Sequence, residues 1–390
     1  MDIRHMLLLL MCSLSTQVYG IDLTILESAV TKGAVCLDGT PPAYVYRKGF
    51  GDGVNNWIVF FQGGGWCISK HDCLQRSRSY LGSSKHMLPV FRANPVAFGG
   101  ILNEDATHNP HFYNWNVFNI LYCDGSSFMS NVEQVDPETN VTYRGARIYD
   151  AMMEELFLNK GIASAENVIL AGASAGGLTT ILHCDKFRDL FLSSIRVKCI
   201  SDAGFFIQGK EMMGADWREE RFFNLVSIHG LANSFPTSCT TKMNPILCLF
   251  PENLVNDVKT PLFLVQSAFD EWQIQNMIPN TNDWNICTKV KYGLAYCTWP
   301  EFKIMKGFRS TLIKTLKNLD SSSSRGLYVH TCYLHGQIYM SQHWNSSPLV
   351  GNSVNANKTI EQAVSDWYFN DTNFQEIDMQ TDLPRICKSF

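Results

Sequence analysis

Ser174 lies at the centre of Gly172-Ala173-Ser174-Ala175-Gly176, directly after the apolar run Val168-Ile169-Leu170-Ala171 and before a stretch that reads as a helix. A serine between two glycines at a strand-to-helix corner is the pattern of a nucleophile elbow. The corner strains the serine backbone, exposes its hydroxyl and leaves no room for side chains at the flanking positions. Small residues here also suit the close packing of a helix on a strand with no chemistry at all. What separates the two readings is whether the chain supplies the other parts: donors for an oxyanion, a base for the serine proton, and a carboxylate to orient that base.

Candidate donors occur far upstream, where Asn56-Trp57-Ile58-Val59-Phe60-Phe61 reads as a buried strand and runs into Gln62-Gly63-Gly64-Gly65-Trp66. Consecutive glycines after an early strand are the kind of loop that supplies oxyanion-hole amides in α/β-hydrolases. Fixed N–H groups aimed at the developing oxyanion stabilise the transition state more than the ground state. The backbone N–H groups of Gly65, Trp66 and Ala175 are the candidate donors. The competing reading, a phosphate cradle, would want a Lys-Ser/Thr ending or a G-x-G-x-x-G spacing, and neither is present.

In α/β-hydrolases the acid and the histidine follow the serine along the chain. Pro261-Leu262-Phe263-Leu264-Val265 is strand-like and leads through Gln266-Ser267-Ala268-Phe269 to Asp270; Gly326-Leu327-Tyr328-Val329-His330 is a second short strand, with His335 in the loop after it. Catalytic groups collect at such strand ends in open α/β sheets. Asp202, after a strand-like segment in Cys199-Ile200-Ser201-Asp202, is a rival acid or a supporting residue, and His330 and His343 are rival bases. Asp270 is preferred because the acid comes from a later strand than the one beside the elbow. His335 is preferred because a histidine within a strand is more often a satisfied buried residue than a base.

The elements that would carry these groups are apolar strands alternating with helix-like stretches, among them 147–159, 178–187 and 309–319. That alternation predicts a mainly parallel central sheet flanked by helices, an α/β-hydrolase fold. No linker, repeat or low-complexity run divides the chain; Ser321-Ser322-Ser323-Ser324 is short enough to be a loop before the last strand. Residues 21–390 are therefore expected to form one domain.

The residue blocks along the chain resemble the plant pectin acetylesterases, whose wider family also contains the animal carboxylesterase Notum. The resemblance is carried by Gly33-Ala34-Val35-Cys36-Leu37-Asp38-Gly39-Thr40, Gly63-Gly64-Gly65-Trp66-Cys67, Phe112-Tyr113-Asn114-Trp115-Asn116 and Tyr122-Cys123-Asp124-Gly125-Ser126-Ser127-Phe128. It continues through Arg144-Gly145-Ala146-Arg147, Ser174-Ala175-Gly176-Gly177-Leu178, Ser201-Asp202-Ala203-Gly204-Phe205 and Asp270-Glu271-Trp272-Gln273-Ile274. It implies a Ser174, Asp270 and His335 triad, an oxyanion hole of Gly65, Trp66 and Ala175, and hydrolysis of acetyl esters on galacturonan without cofactor or metal. A disulfide between Cys36 and Cys123 is implied by the likeness to Notum. An acidic polymer would want basic side chains in the cleft, for which Arg144, Arg147 and Lys85 are candidates. The plant members usually carry a cysteine just before the nucleophile and another just after the histidine; here Ala173 and Gly336 stand there. Their cysteine-containing tail is reduced to Cys387 alone, which argues against a tail disulfide. Two other functions remain open on the sequence: a Notum-like lipid deacylase, and an inactive extracellular carbohydrate-binding protein.

Residues 1–20 read as a secretory leader: Arg4 and His5, the apolar stretch from Met6, and the small-residue end Val18-Tyr19-Gly20. The apolar stretch falls well short of the roughly 20 residues that span a bilayer, so a soluble, extracellular cell-wall protein is expected. Of thirteen cysteines, one, Cys12, lies in the leader, and the remaining even set is free to pair in an oxidising compartment. Near neighbours make Cys67 with Cys73, Cys239 with Cys248, and Cys287 with Cys297 geometrically easy. A zinc site lacks any C-x-x-C or clustered spacing. The sequons at Asn140, Asn345, Asn357 and Asn370 are candidate glycan sites, two or three of them expected to be occupied. With 32 basic and 36 acidic residues the formal charge is −4, which gives little attraction to nucleic acid or an anionic membrane. A monomer acting on polysaccharide is the expected working unit.

Overall fold

The computed structural model describes residues 23–93, 98–279, 294, 297–320, 322, 324–351 and 357–387. The leader reading falls on residues outside this set, as does Cys287. Among the described residues nine strands form one sheet: β1 (Leu23–Ile25), β2 (Ala43–Arg47), β3 (Asn56–Phe61), β4 (Asn116–Ile120), β5 (Asn167–Ala173), β6 (Arg196–Asp202), β7 (Leu262–Asp270), β8 (Arg325–Leu334) and β9 (Gln375–Ile377). Their order across the sheet is β1-β2-β4-β3-β5-β6-β7-β8-β9. Both pairings of β2 are antiparallel, and every pairing from β4 to β9 is parallel.

The central strands are continuous apolar runs because both faces of a parallel sheet are covered. Successive side chains of β3 point to opposite faces: Trp57, Val59 and Phe61 join one buried cluster, while Ile58 and Phe60 join the other. β5 divides in the same way, with Val168 and Leu170 on the first face and Ile169, Ala171 and Ala173 on the second. Full burial of each large apolar side chain contributes about 1.5–3 kcal/mol, so the two clusters fix the register of the strands that carry the site.

The helices used below are α1 (Lys70–Arg76), α2 (Gly145–Glu155), α3 (Ala175–Arg188), α4 (Ala215–Ile228), α5 (Glu271–Met277), α6 (Trp299–Lys317) and α7 (Ile360–Asn370). α6 begins ten residues before the expected 309. Its start is set by a capping box in which Thr298 and Glu301 exchange side-chain and main-chain hydrogen bonds, with Pro300 in the first turn. Among the described residues no helix is long and apolar enough to cross a membrane.

Disulfides join Cys36 to Cys123, Cys67 to Cys73, Cys239 to Cys248, Cys184 to Cys199, and Cys332 to Cys387. The first three match the sequence reading, and Cys297 is also disulfide-bonded. The expectation of an unpaired tail is corrected. Arg385 pairs with Cys332 as an extra bridge on β8, which brings Cys387 back against that strand. Asn140, Asn357 and Asn370 are exposed, whereas Asn345 is half-buried and its amide donates to the carbonyl of Thr107.

Candidate active site

β5 and α3 meet at Ser174, whose φ of 57° and ψ of −125° are the strained geometry expected of an elbow. Its N–H donates to the main-chain oxygen of Asp202 at 2.8 Å, which fixes the corner to the end of β6. The flanking glycines are steric necessities. A Cβ on Gly172 would lie 2.2 Å from the carbonyl oxygen of Gly176, and one on Gly176 would lie 2.1 Å from that of Phe61. Gly63 is packed so closely that a Cβ there would meet the Ser174 side chain at 2.8 Å, so the glycine loop after β3 abuts the serine.

His335 follows β8 and turns towards this corner, with Nε2 lying 2.7 Å from Ser174 Oγ. Its Nδ1 faces Asp270 at the end of β7, 3.0 and 2.9 Å from the two carboxylate oxygens. Asp270 is fully buried and held by two further donors, the Gln273 N–H at 2.8 Å and the Gln266 side-chain amide at 2.9 Å. Burial disfavours the charged imidazolium of His335, but the Asp270 carboxylate outweighs it and the net effect is to raise the ring above its ordinary value.

The rival residues fall elsewhere. Asp202 Oδ2 accepts the main-chain N–H groups of Gln337 and Ile338 at 2.6 and 2.9 Å, so it anchors the loop that follows the histidine. Burial pushes its carboxyl up to about 7, against those two amides, which pull it down. His330 lies inside β8; burial pushes its ring down to about 3, and Nδ1 accepts the Cys332 N–H. Burial likewise lowers His343.

The amides of Gly65, Trp66 and Ala175 border the same corner, and among the described residues none donates to a loop or cap carbonyl. Two side chains not singled out from the sequence brace them. Tyr122 donates its hydroxyl to the Gly65 carbonyl at 2.9 Å, and Ser127 donates to the Ala175 carbonyl at 2.9 Å. Both lie in the Tyr122-to-Phe128 block, whose adjacency to the glycine loop only the folded chain reveals.

Ser174 and His335 open into a cavity of about 630 Å³, walled by residues that include Gln62, Tyr80, Asn119, Trp272, Tyr339 and Gln342. The expected basic side chains do not line it. Arg144 and Arg147 bind main-chain and side-chain oxygens of Glu133, and Lys85 lies 3.9 Å from Asp38. These arginines sit at the start of α2, where Arg144 reaches the Glu133 carbonyl and Arg147 the Asn131 and Glu133 side chains. Trp66, Phe206 and Trp272 form a mutually edge-on cluster, with centroids 4.8–5.5 Å apart, on one side of the site. Trp272 is also stacked 5.9 Å from the His335 ring. Gly336 has φ +84°, and a Cβ there would meet Tyr339 at 2.8 Å, so a side chain in place of this glycine would be strained. Cys67, Cys73 and His229 lie close enough to suggest a metal cluster. The two sulfurs are joined as a disulfide, which leaves no thiolate to act as a ligand.

The pectinacetylesterase family model matches residues 14–388. Pectin acetylesterase 7 of Arabidopsis thaliana is 44% identical over 364 residues, 92% of this chain and 90% of the relative, and pectin acetylesterase 11 of the same plant is 42% identical over the same shares. A palmitoleoyl-protein carboxylesterase notum1' of Xenopus laevis is 30% identical over 268 residues, covering 64% of this chain and 52% of the relative. The solved structure of the Wnt deacylase Notum from Drosophila superposes with a TM-score of 0.72, covering 93% of this chain and 97% of that one; at 21% identity it shows the shared fold. The chain belongs to the pectinacetylesterase family and is a carboxylic ester hydrolase.

Proposed function

We propose that this enzyme hydrolyses the acetyl esters of pectin through a serine-bound acetyl intermediate. Ser174 Oγ attacks the acetyl carbonyl while His335 Nε2 takes its proton, and Asp270 holds the imidazole and stabilises its charged form. The oxyanion is received by the N–H groups of Gly65, Trp66 and Ala175. The bond from the acyl carbon to the sugar oxygen then breaks, with His335 returning the proton to the leaving hydroxyl. Water, deprotonated by the same nitrogen, attacks the acetyl carbon and releases acetate and free Ser174.

The observation that carries the reading is the unbroken chain of contacts from Ser174 Oγ to His335 at 2.7 Å and from His335 to Asp270 at 2.9 Å. The choice of pectin rests on the Arabidopsis relatives named pectin acetylesterases, and the leader-like residues 1–20 support export to the cell wall.

Ser174→Ala should lower acetate release from acetylated pectin by roughly four to six orders of magnitude while the protein stays folded. Near-normal release by a folded variant would sink the mechanism. Native protein should release acetate faster from acetylated galacturonan than from acetylated xylan. Nitrophenyl esters separate this reading from lipid deacylation. Each methylene in a fitting apolar pocket adds up to about 0.8 kcal/mol, so a lipid deacylase shows rates climbing with chain length and an acetylesterase shows them falling. A peak at about eight carbons or more, with no acetate from pectin, would overturn the substrate assignment.

A further inference from the structure

We propose that the small pocket sharing Trp272 with the catalytic cavity is a carboxylate subsite, holding the uronate group of a sugar residue next to the one that bears the ester. This rests on the pectin reading of the active site, but it depends on different residues. Most of the pocket's lining is apolar, Trp66, Trp217, Phe222 and Trp272 among it; its polar side chains are Arg218 and Arg221 of α4 and Asn276 of α5. Trp217 and Arg221 are one helical turn apart, and the Arg221 guanidinium lies over the Trp217 indole, 4.7 Å from its centre. That contact leaves the exposed guanidinium oriented, with its hydrogen-bonding edge unused among the described residues.

Arg218 supplies a second positive charge. It is 1% exposed, and its donors go to the main-chain oxygens of Gln208, Gly209, Met213 and Met277. Carbonyl dipoles cage the guanidinium without neutralising it. Among the described residues no carboxylate oxygen lies within 4.0 Å of either guanidinium. The hydrogen bonds that Glu252 and Asp72 accept from the Gln208 and Ile68 N–H groups do not remove their fields, which reach Arg218 and Arg221 respectively. Arg218, with its N–H groups taken up by carbonyls, contributes only its field, and the exposed Arg221, with no carboxylate in contact, is the group able to bind an anion. The planar fork of Arg221 matches a carboxylate in two-point geometry.

Size narrows the ligand. The pocket is small, about 40 Å³. It admits a carboxylate group, while the attached sugar ring remains outside against the aromatic rim. By contrast, the lining of the cavity at Ser174 contains no lysine or arginine among the described residues. Recognition of charge is thus displaced from the acetylated residue to its neighbour, with Trp272 as the wall between them.

The test measures inhibition of nitrophenyl acetate hydrolysis by unsubstituted trigalacturonate and by its fully methyl-esterified form. The native enzyme should be inhibited at a concentration about tenfold lower by the free acid, the scale of one partly exposed charge-assisted contact. Arg221→Gln should remove that selectivity, and Arg221→Lys should retain only part of it, because an ammonium keeps the charge and loses the fork. Unfolding midpoints verify that both variants are folded. Equal inhibition of native enzyme by the two forms, or undiminished selectivity in folded Arg221→Gln, would overturn the subsite. Acetate release from acetylated galacturonan by native enzyme tests the parent reading separately. Charge-selective inhibition without acetate release keeps the subsite and removes the pectin assignment. Acetate release with an indifferent Arg221→Gln does the reverse.

Discussion

The indole Nε1–H of Trp66 donates to the hydroxyl of Ser127 at 2.8 Å. The same hydroxyl donates to the Ala175 carbonyl, and the Ser127 N–H donates to the Tyr122 hydroxyl at 2.9 Å, which itself donates to the Gly65 carbonyl. One serine therefore links the glycine loop after β3 to the first turn of α3, the two sources of the proposed oxyanion donors. Ser127→Ala should lower kcat by about 10- to 100-fold with a smaller change in KM, because donors aimed at the oxyanion act mainly in the transition state. Steady-state kinetics on nitrophenyl acetate check this; an unaltered kcat would show that the two halves hold their positions without the link.

Asp270→Asn should be severely impaired, losing on the order of 10⁴-fold in kcat, because the amide favours the wrong imidazole tautomer. Asp202→Asn should retain far more activity, since an amide oxygen can still accept the Gln337 and Ile338 N–H groups. If the Asp202 variant proved the more damaged at equal stability, the acid would have to be reassigned.

In the proposed cycle His335 must be neutral to accept the Ser174 proton, and Asp270 raises its pKa above the ordinary 6.5. The acid limb of the kcat/KM profile should therefore lie above 6.5, with activity lost as pH falls through it. In the residual activity of Asp270→Asn the limb should move to lower pH, because the group that raises the pKa has lost its charge. A limb that stays in place would mean that another group controls it.

The Asp202 carboxyl is raised from 3.8 to about 7 in the folded protein. In that window the folded state binds more protons than the unfolded state, so this group's contribution to stability falls as pH rises from about 4 to about 7. Denaturant midpoints across this range should show Asp202→Asn gaining stability on the native protein with rising pH. Parallel curves would indicate that Asp202 ionises without such a penalty.

Cys387→Ser should free the tail from β8. The bridge to Cys332 closes a sequence separation of 55 residues, for which the loss is about 2–4 kcal/mol of unfolding free energy. Urea unfolding checks the magnitude, and thiol titration of the denatured variant should gain one equivalent over the native protein. A native protein that already shows the Cys332 and Cys387 thiols free would contradict the bridge.

The sequence by itself determined what depends on local sterics and on alternation. The apolar run 56–61 reads as a buried strand, and the glycines around Ser174 mark a corner where a Cβ would collide with a carbonyl. Chain order and strand-end position were enough to single out Asp270 and His335. They did not exclude Asp202, because it too ends a parallel strand of the same sheet. Only the direction of each carboxylate decides that, and it is set by β7 pairing with β8, far along the chain, so that Asp270 lies beside Leu334, next to the histidine. The same limit explains the misplaced cations. Charge can be read along a chain, but which cation lies near the site depends on how α2 and α4 pack, and so Arg144 and Arg147 engage Glu133 while Arg218 and Arg221 share a pocket lining with Trp272. The tail disulfide was hidden for a related reason. Nothing near Cys387 identifies its partner, and only the bridge between Cys332 and Arg385 carries the two sulfurs to bonding distance.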